Sequence, residues 1–62
     1  MKLNELSFGD VFYLPKKAQM IDRTFQLIHH DYIPYILDTY TGEFRGALNW
    51  GISMDDEVKL DD

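Results

Sequence analysis

Gly9, Pro15, Pro34, Gly42 and Gly51 cut the chain into apolar runs too short for a long helix. Gly and Pro interrupt regular structure more strongly than other residues. The runs between them are rich in β-branched and aromatic side chains, the composition of strands. Residues 11–14 (Val-Phe-Tyr-Leu), stopped by Pro15, form the first expected strand. Residues 24–32 form the second, and residues 33–37 the third after a bend near Asp31-Tyr32. A turn over residues 38–42 follows, with Gly42 supplying a left-handed position. Residues 43–50 form the fourth strand and residues 57–60 the fifth. Leu3 and Leu6 fit one short helical turn, Ser7 to Asp10 a turn, and Ser53 caps a helical turn over residues 53–56. Residues 17–30 also admit a helical pattern through Met20, Ile21, Arg23, Phe25 and Ile28. Thr24-Phe25 and the Ile28 region favour strand, however, and Pro34 blocks extension. The expectation is a mainly β protein: a small five-stranded SH3-like barrel with short helical turns. Residues 1–62 form one domain, with Asp61-Asp62 frayed at its acidic end.

So short a chain hides only about 60% of its unfolded surface. Domains of this size usually gain stability from disulfides, a metal or a partner. Cysteine is absent, and no Cys/His spacing suits a structural zinc. No cofactor is expected. A dense aromatic core or self-association has to hold the fold, and four Phe, four Tyr and one Trp are available for it. The opening residues lack an apolar run of signal-peptide length, and no stretch approaches the 18 or so apolar residues of a membrane helix. A soluble cytoplasmic protein without membrane contact is expected.

The strands break the usual alternation of one apolar and one polar face. Val11 and Tyr13 point one way, Phe12 and Leu14 the other. Phe25 and Leu27 oppose Ile28, and Ile33, Tyr35 and Leu37 oppose Ile36. A small barrel has a single interior, so some of these side chains must lie outside. An exposed apolar patch marks an interface, and Tyr and Trp dominate interface energy. Tyr32, Tyr35, Tyr40, Phe44 and Trp50 are the candidates, with Phe12 if it faces out.

The net charge is −5, and it is polarised: residues 1–23 carry +1 and residues 24–62 carry −6. Phosphates and anionic lipids would be repelled. The C-terminal segment offers Asp55, Asp56 and Glu57 as an acidic strip able to imitate nucleic-acid phosphates, or simply to solubilise the chain. It lacks the ligand alternation and central Gly of a calcium loop. A nucleic-acid-binding barrel would instead need Lys16, Lys17, Arg23 and Arg45 to cluster. His29-His30-Asp31 resembles a metal or acid–base cluster, but adjacent strand residues face opposite ways, leaving only His29 and Asp31 able to pair. The glycines are isolated rather than arranged as a phosphate loop, and Ser7 and Ser53 lack a histidine–acid arrangement. No catalytic residue is expected.

The run Leu3-x-x-Leu6-x-x-Gly9-Asp10-Val11-Phe12, then Asp38-x-x-Thr41-Gly42-Glu43, then Asp56-Glu57-Val58, resembles a class of small acidic proteins of tailed bacteriophages. The resemblance implies a protein that acts inside a bacterial host cell by engaging another protein, such as a host enzyme; the acidic strip adds one that handles nucleic acid as a candidate partner. The expected function is therefore a non-enzymatic binding module that inhibits or modulates a host protein through an aromatic patch flanked by Asp55, Asp56 and Glu57. The alternatives are a homodimer or higher oligomer joined by the same patch, and a single-stranded nucleic-acid binder.

Overall fold

The computed structural model describes residues 1–61. Five strands, β1 (Val11–Tyr13), β2 (Phe25–His30), β3 (Ile33–Asp38), β4 (Phe44–Arg45) and β5 (Lys59–Leu60), form one sheet. Their order is β4-β3-β2-β1-β5, and every neighbouring pair is antiparallel. The long β2–β3 hairpin is the spine, running in register from Phe25 opposite Asp38 to His30 opposite Ile33. The edges β4 and β5 are not paired with each other among the described residues. Three 3-10 turns, Leu3–Glu5, Ala18–Met20 and Ala47–Trp50, complete the regular structure.

Both ends of the described chain are tied in. Leu3 N donates to Asp56 O at 3.0 Å, and Val58 N to Met1 O at 2.7 Å. Asp61 N donates to Val11 O at 2.9 Å, which holds it on β1. Of the tail expected to fray, Asp62 lies outside the described residues.

One face of the sheet meets these turns and forms the core: Leu3, Phe12, Leu14, Phe25, Leu27, Ile36, Trp50, Ile52 and Val58. Each such side chain gains roughly 1.5–3 kcal/mol on leaving water. The rings interlock, with Phe25 and Trp50 centroids 5.5 Å apart edge-on and Phe12 and Phe25 centroids 6.0 Å apart. Offset and edge contacts of this kind suit the ring quadrupoles.

The structure departs from the sequence reading in the extents of the second and fourth strands. The fourth strand, expected over residues 43–50, pairs only at Phe44–Arg45; beyond Gly46 the chain coils into the Ala47–Trp50 turn. That turn delivers Trp50 to the core, where its Nε1 donates to Ile36 O at 2.8 Å. Gly51, at φ +73°, ends the turn in a conformation that favours glycine. The second strand stops at His30 because Asp31 and Tyr32 form a two-residue loop. Residues 53–56 form the expected capped turn: Ser53 Oγ accepts Asp55 N, Ser53 O accepts Asp56 N, and Asp56 Oδ2 accepts Ser53 N. Of the helical pattern over 17–30, only Ala18–Met20 coils, and the β-prone residues from Phe25 onward join the sheet.

Candidate protein-binding surfaces

Residues paired across an antiparallel ladder share a face. Val11, Gln26, Leu37 and Phe44 therefore line up across four strands on the side away from the core. Ile28 pairs with Tyr35, His30 with Ile33, and Tyr13 with Lys59 on the same side. This outer face is the second apolar side that the sequence pattern requires. Tyr35 packs edge-on against Phe44 with centroids 5.6 Å apart, and His30 lies 6.3 Å from Tyr35. Phe44 and Ile33 are about half exposed, while Tyr35, Ile28 and Leu37 are partly covered by their neighbours. None of these ten positions is Asp or Glu, but Asp31 reaches His30 from the arm's tip at 3.5 Å and Asp61 is hydrogen-bonded opposite Val11.

The β2–β3 hairpin reaches beyond its neighbours. β1 pairs with β2 only at Phe25 and Gln26, and β4 with β3 only at Ile36 and Leu37. The arm beyond is exposed at His29, His30, Asp31, Tyr32, Ile33 and Pro34. Leu27 exchanges backbone hydrogen bonds with Gly9 and Asp10, and Asp38 N donates to Glu43 O. Odd residues of β2 and even residues of β3 thus direct their backbone groups away from the hairpin. Pro34 shares that parity and has no N–H to offer, which blunts the free edge against strand addition. At the tip, Asp31 and Tyr32 have φ +52° and +66°, the signs a tight two-residue hairpin loop demands. Tyr32 is 95% exposed there.

The expected site residues fall into separate places. Tyr32, Tyr35 and Phe44 lie along the arm and the β3–β4 side of the sheet. Tyr40 stands alone in the β3–β4 turn, 96% exposed. Trp50 and Phe12, expected at the surface, are buried instead, because the 3-10 turn folds Trp50 inward and Phe12 pairs with core-facing Phe25. Quenching of Trp50 fluorescence consequently reports burial within one chain and not self-association.

Asp55, Asp56 and Glu57 precede β5, at the opposite edge of the sheet from β4 and its aromatic side chain. Asp56 pairs with Lys17 at 3.2 Å and Glu57 with Lys16 at 3.5 Å, while Asp55 accepts Asn4 Nδ2 at 3.4 Å. The Asp56 carboxyl is held below its ordinary value chiefly by the Ser53 N–H it accepts at 2.9 Å; burial opposes this, and Lys17 adds to the lowering. Two of the three acids are therefore neutralised within the chain. The basic residues are engaged in turn: Lys16 and Lys17 as above, Arg23 with Asp38 at 3.8 Å and Arg45 with Glu43 at 2.7 Å. Each of the four thus lies against a carboxylate of its own chain. The His29–Asp31 pair is also absent: Asp31 turns to His30 Nε2 at 3.5 Å, and His29 packs against Phe8 at 4.9 Å.

Two features lay outside the sequence reading. Asp38 is 3% exposed, and its Oδ1 accepts Tyr40 N at 2.8 Å and Thr41 N at 3.2 Å. A polar depression opens beside it, lined by Asp22, Arg23, Thr24, Thr39, Tyr40 and Thr41, in which the Thr24 and Thr39 hydroxyls bond each other at 2.6 Å. The other feature is a groove of about 360 Å³ on the core side of the arm, between Leu27, Pro34 and Ile36 and the segment carrying Ala47, Leu48 and Met54.

Among the described residues, no group of three or more His, Asp or Glu stands ready for a metal, and no helix is long and apolar enough to cross a membrane. Comparison with protein-family models, characterised proteins and solved structures gives no match.

Proposed function

We propose that this chain is a non-enzymatic protein-binding module that docks through the outer face of its sheet. Tyr35, Phe44 and Ile33 are the central contacts, and Tyr32 extends the surface along the arm. One observation carries the reading: in an acidic chain the sheet keeps a second set of apolar side chains, Val11, Ile28, Ile33, Tyr35, Leu37 and Phe44, on the side away from the core. Aromatic side chains on such a face supply short-range binding energy. The strand order, with a 3-10 turn between β4 and β5, supports the SH3-like barrel as the scaffold. The resemblance to small phage proteins favours a host protein as partner, with inhibition or modulation as the outcome.

A second copy of the chain is the second reading. A molecule of charge −5 repels itself, but the apolar centre of this face, Ile33, Tyr35, Leu37 and Phe44, would meet its copy without like charges in contact. Sedimentation separates the two: a strict monomer at micromolar concentration excludes the second copy. The main reading is tested by capture from host extract on immobilised protein. A retained protein should be lost by a folded Tyr35→Ser/Phe44→Ser variant. Because Asp55, Asp56 and Glu57 lie apart from this surface, capture should persist in high salt. Equal retention by both proteins would reject the outer face as the docking surface.

A further inference from the structure

The depression beside the buried Asp38 carboxylate has a volume of about 560 Å³. Clefts for small ligands span about 300–1,000 Å³. Two segments build it, residues 22–24 ahead of β2 and residues 38–41 at the end of β3 and in the turn beyond. Hydrogen bonds tie the two together: the Thr24 and Thr39 hydroxyls at 2.6 Å, and Thr39 N to Thr24 O at 3.2 Å.

Three of its side chains are left over from folding. Arg23 Nη1 stands 3.8 Å from Asp38 Oδ2, beyond hydrogen-bond length. The half-exposed guanidinium donates no hydrogen bond among the described residues, so charge holds its planar fork in place without using it. Asp22 has no ion pair among the described residues. Tyr40 adds almost no burial to the fold at 96% exposure. The threonines, by contrast, are engaged, Thr24 with Thr39 and Thr41 Oγ1 with Glu43 N.

The wall charges select the occupant. A small anion meets the carboxylates of Asp22 and Asp38, and a small cation meets Arg23. The walls therefore favour a neutral ligand that both accepts and donates hydrogen bonds. A guanidinium fork matches two acceptors in one plane, as in O6 and N7 of guanine. A carboxylate matches two N–H donors in one plane, as in N1–H and the 2-amino group of the same base. An exposed aromatic ring offers a stacking platform to a base.

We propose that this depression binds a guanine base carried on a neutral nucleoside. Arg23 donates to O6 and N7, Asp22 accepts from N1–H and the 2-amino group, and Tyr40 stacks on the ring. A nucleotide or polynucleotide is disfavoured, because its phosphates meet a chain of charge −5. Ile33, Tyr35 and Phe44 do not line the depression, so the site stands whether or not the outer face docks a protein.

The test is amide NMR of the whole chain titrated to millimolar concentration with guanosine, inosine, adenosine and methyl glucoside. Guanosine should move the amides of Thr24, Thr39, Tyr40 and Thr41. Inosine lacks the 2-amino group, and adenosine places a donor where Arg23 needs an acceptor; each should bind about tenfold more weakly. Tyr40→Ala, at a side chain too exposed to affect folding, should weaken guanosine about tenfold. Asp22→Asn should erase most of the advantage of guanosine over inosine. The assignment is overturned if no nucleoside moves these amides, if inosine binds as tightly as guanosine, or if Tyr40→Ala binds as the parent does. It is also overturned if methyl glucoside moves the same amides as strongly, which would make this a sugar site.

Discussion

Tyr32 occupies a backbone conformation that favours glycine, and replacing it should strengthen the fold while weakening binding. Its φ of +66° follows Asp31 at +52° in the two-residue loop. An L side chain in the left-handed region loses roughly 1–2 kcal/mol from the approach of Cβ to the carbonyl oxygen. Glycine avoids that cost but returns roughly 0.5–1 kcal/mol through its freer unfolded chain. At 95% exposure the ring contributes almost no burial to offset the strain. Tyr32→Gly should therefore stabilise the protein by roughly 0.5–1 kcal/mol, a rise of roughly 2–8 °C in Tm for a domain of this size. Urea unfolding should show a higher midpoint with an unchanged slope. Tyr32→Ala keeps Cβ and removes the ring, so it should leave stability near that of the parent. If the glycine variant is less stable, the ring makes a contact that holds the hairpin, and the strain reasoning fails. If it is more stable and still captures the partner as well as the parent does, Tyr32 is not part of the docking surface.

Asp38→Ala strands two backbone N–H groups and Arg23, and should cost about 3 kcal/mol in urea unfolding. Asp56 has a lowered carboxyl pKa, so it contributes stability above the unfolded value of about 4 and loses it as pH falls through the folded value. Asp56→Asn should accordingly flatten the acid limb of the stability–pH curve, and an unaltered curve would contradict the Ser53 and Lys17 contacts. Trp50→Phe loses the hydrogen bond to Ile36 O and part of the ring, which should destabilise by about 1–3 kcal/mol; native Trp50 should resist iodide quenching even in dilute monomer. Pro34→Val restores an outward N–H on the free edge of the arm and should speed aggregation, measured by light scattering, over the parent.

Much of the sheet is legible in the sequence because alternation leaves a local signature. Val11 and Tyr13 separate from Phe12 and Leu14, and Ile33, Tyr35 and Leu37 from Ile36, as the apolar pattern requires. Gly42 at φ +78° and the Ser53–Asp56 turn are equally local. What the sequence hides is non-local. Trp50 looks like a strand-end residue until Gly46 and the 3-10 turn swing it under Phe25. Asp55, Asp56 and Glu57 look like a free acidic strip until the loop after β1 brings Lys16 and Lys17 against the last two. Asp38 reads as a turn former, and only the fold reveals that it is buried beneath Arg23. The same separation divides the expected aromatic and acidic site between two parts of the molecule.

The central claim is that the apolar and aromatic side chains of the outer face receive the partner. Aromatic and methyl NMR of the labelled chain, with the captured protein added, reads this directly. The account predicts shifts concentrated on Ile33, Tyr35, Leu37 and Phe44, with the core signals of Phe12 and Trp50 unmoved. Shifts confined to residues 55–57, with the outer face silent, would contradict it.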